Sequence, residues 1–289
     1  MTTILSGIPA RDAIAVDLKQ RIVALSKPPV LGVILVGDRA DSTAYVGAKK
    51  KFGERIGVEV QVHQFPETVD EKTLREEIAR LNADSSVTGI IVQLPVPQGI
   101  SGSALCNAID PAKDVDGLSA TNIKKLVAGE KGIVPATARG VLNLLAHYNI
   151  DPAGKKVTVV GRSLLVGKPI ALSLLACDAT VTVCHSKTTD TASITRDADI
   201  LIVATGKPGL IGTAHVRAGQ VVIDVGINTV SGSLAEEVGK RKLVGDVDFE
   251  AVKDCVSAIS PVPGGVGPTT VSALFQNVVE VAEQGSVAR

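Results

Sequence analysis

Apolar and polar positions alternate along this chain in two rhythms. Short β-branched runs read as buried strands, and between them apolar residues recur at helical spacing. The first helix is expected from Pro9 to Ser26, stopped by Pro28-Pro29, and a strand follows from Val30 to Val36, ending at Gly37. A second helix is expected from Ser42 to Ile56, with Ser42 as N-cap and Gly57 as its stop. Val58 to Phe65 reads as the next strand, and Thr68 with Glu71 makes a capping-box pattern for a helix running to Ala83. Val87 to Leu94 is a third strand, ended by Pro95-Val96-Pro97. This β-α-β-α-β series carries its loops to one rim.

A looser region, Gln98 to Ala136, precedes a helix from Thr137 to Asn149. A second α/β series then begins. Its strands are expected at Lys156 to Val160, Thr180 to Cys184, Ile200 to Ala204 and Gln220 to Asp224, with a short one near Leu243-Val244. A helix from Val166 to Cys177 lies between the first two, and a last helix runs from about Thr270 to Glu283. Alternation of this kind predicts an α/β protein of parallel sheets covered by helices. The boundary falls near Thr137, giving an N-terminal domain over 1–136, rejoined by the C-terminal helix 270–289, and a second domain over 137–269.

Composition narrows the function classes. The chain has 289 residues, 45% hydrophobic and 21% charged, with zero formal net charge, so no basic field favours nucleic acid or an anionic membrane. No stretch approaches the roughly 18 apolar residues of a membrane span, and the first residues lack the pattern of a signal peptide. The four cysteines (Cys106, Cys177, Cys184, Cys255) are scattered, which fits reduced thiols in the cytoplasm better than a metal site.

In the second half, Gly161-Arg162-Ser163 ends a strand and precedes a helix. Glycine lets the backbone approach a pyrophosphate there, and a helix N-terminus offers unpaired N–H groups. The spacing to Gly167 is not GxGxxG, so the turn by itself fits a ligand-free connection equally well. The end of the next strand decides the matter. NAD-preferring folds carry an acid there, whereas this chain reads Val183-Cys184-His185-Ser186-Lys187. Ser186, Arg162 and Lys187 can all donate to a 2′-phosphate, so the expected cofactor is NADP. Thr205-Gly206 and Asp224-Val225-Gly226-Ile227-Asn228 close further strands on the same rim and can line the nicotinamide end.

In the first half, Tyr45 and Lys49 share a helix face at i and i+4. Gln93 ends an otherwise apolar strand, where its amide needs a partner or a cavity. Asp114 and Asp116 flank Val115 in a short acidic loop. Taken singly, each has a plain structural explanation.

Together these segments resemble the methylenetetrahydrofolate dehydrogenase/cyclohydrolase family. The resemblance rests on Tyr45-Val-Gly-Ala-Lys49, Gly89-Ile-Ile-Val-Gln-Leu-Pro95, Lys113-Asp-Val-Asp-Gly117, Val160-Gly-Arg-Ser163 and Pro261-Val-Pro-Gly-Gly-Val-Gly-Pro268, in order over nearly the whole chain. It implies a folate-binding catalytic domain, a Rossmann-type NADP domain and an active-site cleft between them. The implied chemistry is oxidation of 5,10-methylenetetrahydrofolate with NADP, then hydrolysis of the methenyl product to 10-formyltetrahydrofolate, in a cytoplasmic homodimer serving purine biosynthesis. Lys49, Gln93 and Asp116 are the implied catalytic set: the lysine acts, the glutamine orients it, and the aspartate binds the pterin edge. A carboxylate beside the amine would raise its pKa, so Asp116 is expected to reach the pterin and not the lysine. Tyr45, Val92, Leu94, Pro263, Gly264, Gly265, Val266 and Gly267 are implied around the substrate, with the glycine-rich loop closing over it. Gly161, Arg162, Ser163, Ser186 and Ile227 are implied to hold NADP, and no metal is implied.

One segment departs from the family. Pro135-Ala136-Thr137-Ala138-Arg139-Gly140 stands where the family usually has Pro-Cys-Thr-Pro-Lys-Gly, which is expected to loosen the junction. Single-activity relatives, a dehydrogenase of the shikimate kind and a nucleotide-binding scaffold are the alternatives. The shikimate kind gives no reason for Gln93 or the glycine-proline loop.

Overall fold

The computed structural model describes residues 1–231 and 241–287. In chain order the elements begin with β1 (Thr3–Ile4), α1 (Gly7–Val23), β2 (Val30–Val36), α2 (Ala40–Ile56), β3 (Glu59–Phe65), α3 (Glu71–Ala83) and β4 (Gly89–Val92). Then come α4 (Gly102–Ala108), α5 (Ala120–Ala128), α6 (Ala136–His147), β5 (Lys156–Val160), α7 (Gly167–Leu175), β6 (Thr180–Cys184) and α8 (Thr191–Asp197). The series closes with β7 (Ile200–Val203), β8 (Val221–Asp224), β9 (Asn228–Ser231), β10 (Arg241–Val244), α9 (Phe249–Val252), β11 (Ala258–Ile259) and α10 (Val266–Val287). The chain forms two compact units, one of Met1–Arg11 with Thr137–Thr270, the other of Asp12–Ala136 with Val271–Arg289.

The unit containing Lys49 is built on a parallel sheet in the order β3-β2-β4. Strand β2 is buried along its whole length because it lies between its two neighbours, which is why it reads as a continuous apolar run. One core cluster joins Leu31, Val33, Phe52, Val115 and Phe275, with the two phenylalanine rings 5.2 Å apart. Another joins Ile34, Leu74, Ile78, Ile90 and Leu105 on the opposite face. Gly89 has a packing role, since a Cβ there would lie 2.5 Å from Val115. That close approach, with the Ile90 N–H donating to the Lys113 carbonyl (2.7 Å), fastens the loop bearing Asp116 to the end of β4.

The nucleotide unit holds a six-stranded parallel sheet in the order β1-β11-β8-β7-β5-β6. The chain leaves β5 toward β6 on one side and continues at β7 on the other, so the strand order reverses at the carboxyl end of β5. That reversal is where open α/β sheets bind ligands. The β9-β10 hairpin is separate and antiparallel, and it includes the strand expected near Leu243-Val244.

Several expectations need correction. Residues 1–11 belong with the nucleotide unit, because Thr3 and Ile4 pair with Ala258 and Ile259. Two-residue strands carry no readable periodicity, so both were missed. Ser42 is not the cap of α2: the helix starts after Arg39, with no side-chain cap bond, and Ser42 is buried within its first turn. Gly57 does end α2 in the left-handed conformation. Asp70, not Thr68, caps α3, accepting from the Thr73 N–H at 2.7 Å. The region expected to be loose contains α4 and α5, capped by Ser101 and Ser119. Helix α10 begins at Val266, four residues before the expected start at Thr270. Ala136 and Ala138 are buried at the start of α6, alanine being the residue with the strongest helix propensity.

Candidate active site

In its own unit, the Lys49 side chain points inward from α2. Its Nζ donates to Gln93 Oε1 at 2.6 Å, and Gln93 Nε2 donates to the Leu94 carbonyl at 2.8 Å. The second bond fixes the glutamine amide so that its oxygen faces the ammonium. Gln93 is 8% exposed and occupies the first position past β4, where its own N–H still donates to Ile34 (2.8 Å). Burial holds the Lys49 pKa below the ordinary lysine value, opposed by the charge of Asp116. The charge of Asp116 acts on the lysine at a distance, with no ion pair formed between the two.

Among the described residues none donates to the Asp116 carboxylate, and burial pushes its pKa up to about 6, with Lys49 pulling it down and Asp114 adding to the rise. A carboxylate without partners in a polar recess is a group built to receive donors from a ligand. Asp114 is different. It is buried and accepts from the Ser119 N–H (2.8 Å), the Leu118 N–H (3.3 Å) and Asn122 Nδ2 (2.9 Å), which makes it the brace of the loop. Tyr45 lies one turn before Lys49, 36% exposed, so its ring offers a partly open face. The Val92 side chain is in the core, packed with Ile34 and Ile90. Leu94 is half-buried. A cavity of about 1230 Å³ elsewhere on this unit, lined by Lys27, Lys113, Lys125 and Lys131, includes neither Tyr45, Lys49, Gln93 nor Asp116.

The nucleotide unit presents its own constellation. Gly161 follows β5 with φ +122°, and a Cβ there would collide with the Ala204 carbonyl. Gly167 opens α7, where a Cβ would strike the Gly161 carbonyl. Both glycines are therefore required by close backbone approach, although their spacing is not that of the common fingerprint. Ser163 Oγ accepts from the N–H groups of Val166 (3.2 Å) and Gly167 (3.3 Å), shaping the turn before the helix. Arg162, Ser186 and Ile227 are exposed, the first two as donors. His185 serves its own turn, its Nδ1 accepting from the Lys187 N–H at 3.1 Å. A bare glycine cradle at the sheet reversal, with exposed donors and no acid at the end of β6, fits NADP.

The loop from Pro263 also lies in this unit. The Gly7 N–H donates to the Gly264 carbonyl (2.8 Å) and the Gly265 N–H to Pro261 (2.8 Å). Val266 is buried in the core and, with Gly267, forms the first turn of α10, so Pro263, Gly264 and Gly265 alone remain loop. These backbone bonds tether the turn at both ends.

Two buried acids stand at the carboxyl rim of the sheet: Asp224, already seen at the end of its strand, and Asp246, which the sequence did not single out. Asp224 accepts from the N–H groups of Gly226, Asp246 and Val247 at 2.8–3.1 Å, yet burial still pushes its pKa up to about 6. Asp246 accepts from Thr205, Gly206 and Asn228. The trace of their burial in the sequence is the pair of glycines at 226 and 245, where a side chain would collide with these carboxylates. Among the described residues no helix is long and apolar enough to cross a membrane, and no cluster of three metal-ligating side chains occurs.

Comparison with known proteins agrees with this arrangement. Residues 5–116 match the family model described as Tetrahydrofolate dehydrogenase/cyclohydrolase, catalytic domain, and residues 135–286 match its NAD(P)-binding domain. The chain is 46% identical to the Bifunctional protein FolD of Exiguobacterium sp. (strain ATCC BAA-1283 / AT1b), covering 99% of this chain and 100% of that protein. The crystal structure of the bifunctional enzyme FolD from Campylobacter jejuni superposes with a TM-score of 0.93 at 40% identity, covering 99% of this chain and 100% of the other. The Trypanosoma brucei methylenetetrahydrofolate dehydrogenase-cyclohydrolase, solved with NADP cofactor and an inhibitor, gives a TM-score of 0.93 at 36% identity and 98% coverage of each. With both family domains matched in order and relatives of this identity spanning it end to end, the chain belongs to the tetrahydrofolate dehydrogenase/cyclohydrolase family.

Proposed function

We propose that this protein oxidises 5,10-methylenetetrahydrofolate with NADP and hydrolyses the methenyl product to 10-formyltetrahydrofolate. The observation that carries the reading is the Lys49 amine, buried and hydrogen-bonded to a neutral amide whose other end is tied to the backbone.

Bound NADP supplies the hydride acceptor, and the protein's task in that step is mainly alignment. Gly161 leaves room for the pyrophosphate, Ser163 shapes the anion-binding turn, and Arg162 and Ser186 offer donors to the 2′-phosphate. Ile227 borders the nicotinamide end. Turnover requires the two half-sites to meet, so that the folate methylene reaches the nicotinamide ring.

Hydrolysis makes a different demand, because water must lose a proton as it attacks the methenyl carbon. An amine with a lowered pKa takes that proton near neutral pH. Gln93 holds the amine in place without supplying a charge that would keep it protonated. Asp116 accepts from the N–H donors of the pterin edge, and Tyr45 supports the ring system. Pro263, Gly264 and Gly265 present backbone to the substrate. The homodimer, the cytoplasmic setting and the supply of formyl groups for purine biosynthesis rest on the family resemblance.

Nicotinamide absorbance with methylenetetrahydrofolate, read with NADP and with NAD, tests the first activity; decay of methenyltetrahydrofolate without nucleotide tests the second. Reduction of NADP and nucleotide-independent hydrolysis are expected. Absence of folate-dependent reduction, or a strong preference for NAD, overturns the reading.

A further inference from the structure

We infer that Asp246 is a positioning residue for the dinucleotide, holding two rim turns of the nucleotide unit in register through one carboxylate. The inference rests on the NADP reading of that unit. Asp246 is 0% exposed at the carboxyl rim of the sheet. Its Oδ2 accepts from the N–H groups of Thr205 (2.5 Å) and Gly206 (2.9 Å), the turn that follows β7. Its Oδ1 accepts from Asn228 Nδ2 at 2.8 Å, next to Ile227. One side chain therefore joins the turn after β7 to the turn after β8.

The backbone around it is arranged to admit this carboxylate. A Cβ on Gly226 would collide with the Asp246 carboxyl group, so glycine there vacates the space the acid fills. The Asp246 N–H donates to Asp224 Oδ1 (3.1 Å), so a second buried acid anchors the first.

Burying two neighbouring carboxylates is a poor way to hold a fold, since each loses hydration and each repels the other. What they supply is directional: several N–H groups gathered on fixed oxygens at one rim. Gly206 has φ +66°, and the position its Cβ would take faces open space, so the turn held by Asp246 presents bare backbone. That surface follows β7, which borders the reversal, and the exposed Ile227 follows β8, the next strand of the sheet. A flat ring at the nicotinamide end of a dinucleotide is the ligand chemistry that suits them.

The test uses the full-length protein with Asp246→Asn and, separately, Asn228→Ala. Asparagine keeps the shape and one acceptor oxygen; Asn228→Ala deletes the link to the turn bearing Ile227, together with one long bond to the Val244 carbonyl (3.5 Å). The readouts are the Kd of NADP by titration calorimetry, KM for NADP and for methylenetetrahydrofolate, and the rate of methenyl hydrolysis. Loss of charge-assisted hydrogen bonds predicts a rise of about tenfold or more in Kd and KM for NADP in Asp246→Asn. A smaller rise in the same direction is expected for Asn228→Ala, with the folate KM and hydrolysis retained in both. An unchanged NADP Kd in both variants overturns the inference, as does a parallel loss of hydrolysis and oxidation. Should Asp246→Asn fail to fold, Asn228→Ala decides. A wild-type protein that binds NADP but turns over no folate would sink the proposed function while leaving the Kd comparison valid.

Discussion

Replacing Asp116 by asparagine separates what this carboxylate does for the ligand from what it does to the fold. Among the described residues none donates a hydrogen bond to this carboxylate, and burial pushes its pKa up to about 6 from the ordinary 3.8. A folded-state pKa above the unfolded one means that the folded chain holds the proton more tightly. Stability therefore falls as pH rises through the window between these values and stays reduced above about 6. A displacement of roughly two units, at about 1.36 kcal/mol each, corresponds to about 3 kcal/mol above that window. Asparagine cannot ionise and escapes this penalty. Part of the gain is offset because Lys49 loses a favourable charge, although its bond to Gln93 remains. The variant should match wild type in urea unfolding at about pH 4 and exceed it by about 1–3 kcal/mol at about pH 8. Folate oxidation should fall at the same time, with KM for the folate raised. Equal or lower stability at alkaline pH, or a difference independent of pH, would refute the claim that burial of an unpaired charge sets this site.

Other perturbations reach other parts of the argument. Lys49→Met should slow methenyl hydrolysis by about a hundredfold or more, the usual contribution of a general base, while the NADP Kd measured by calorimetry stays unchanged. Because burial lowers the Lys49 pKa, the hydrolysis rate should rise with pH and level off below the ordinary lysine value of 10.5, as a pH–rate profile would show. Gln93→Leu removes the acceptor of the Lys49 bond and should lower hydrolysis by about tenfold at a nearly constant folate KM, measured by steady-state kinetics. Gly161→Ala forces a side chain onto the Ala204 carbonyl at φ +122°; thermal melting should show a loss of about 1–3 kcal/mol, and NADP binding should weaken.

Much of this protein was legible before its structure. The apolar run Val30 to Val36 and the β-branched run Val157 to Val160 placed the central strand of one sheet and the strand at the reversal of the other, because strands buried on both faces are rich in such residues. Gly57 announced the end of α2 through its left-handed backbone. The missing acid after Val183 pointed to NADP, since charge at one strand end is a local property. Lys49 and Gln93 were named from separate segments, but their meeting at 2.6 Å needed β4 to lie beside β2 and α2 to fold back over them. Asp114 and Asp116, two residues apart, look alike in the sequence; only packing turned one into a brace and left the other without a partner. Asp246 was invisible for a related reason. A buried acid is defined by the donors that surround it, and those donors come from turns some 20 and 40 residues earlier in the chain. Local sequence determined the elements, the glycine turns and the chemical character of the rims, because these depend on neighbours along the backbone. The ionisation of Lys49 and Asp116 and the tie between the two rim turns were decided by tertiary structure, because desolvation and hydrogen-bond geometry exist only once distant segments are packed together.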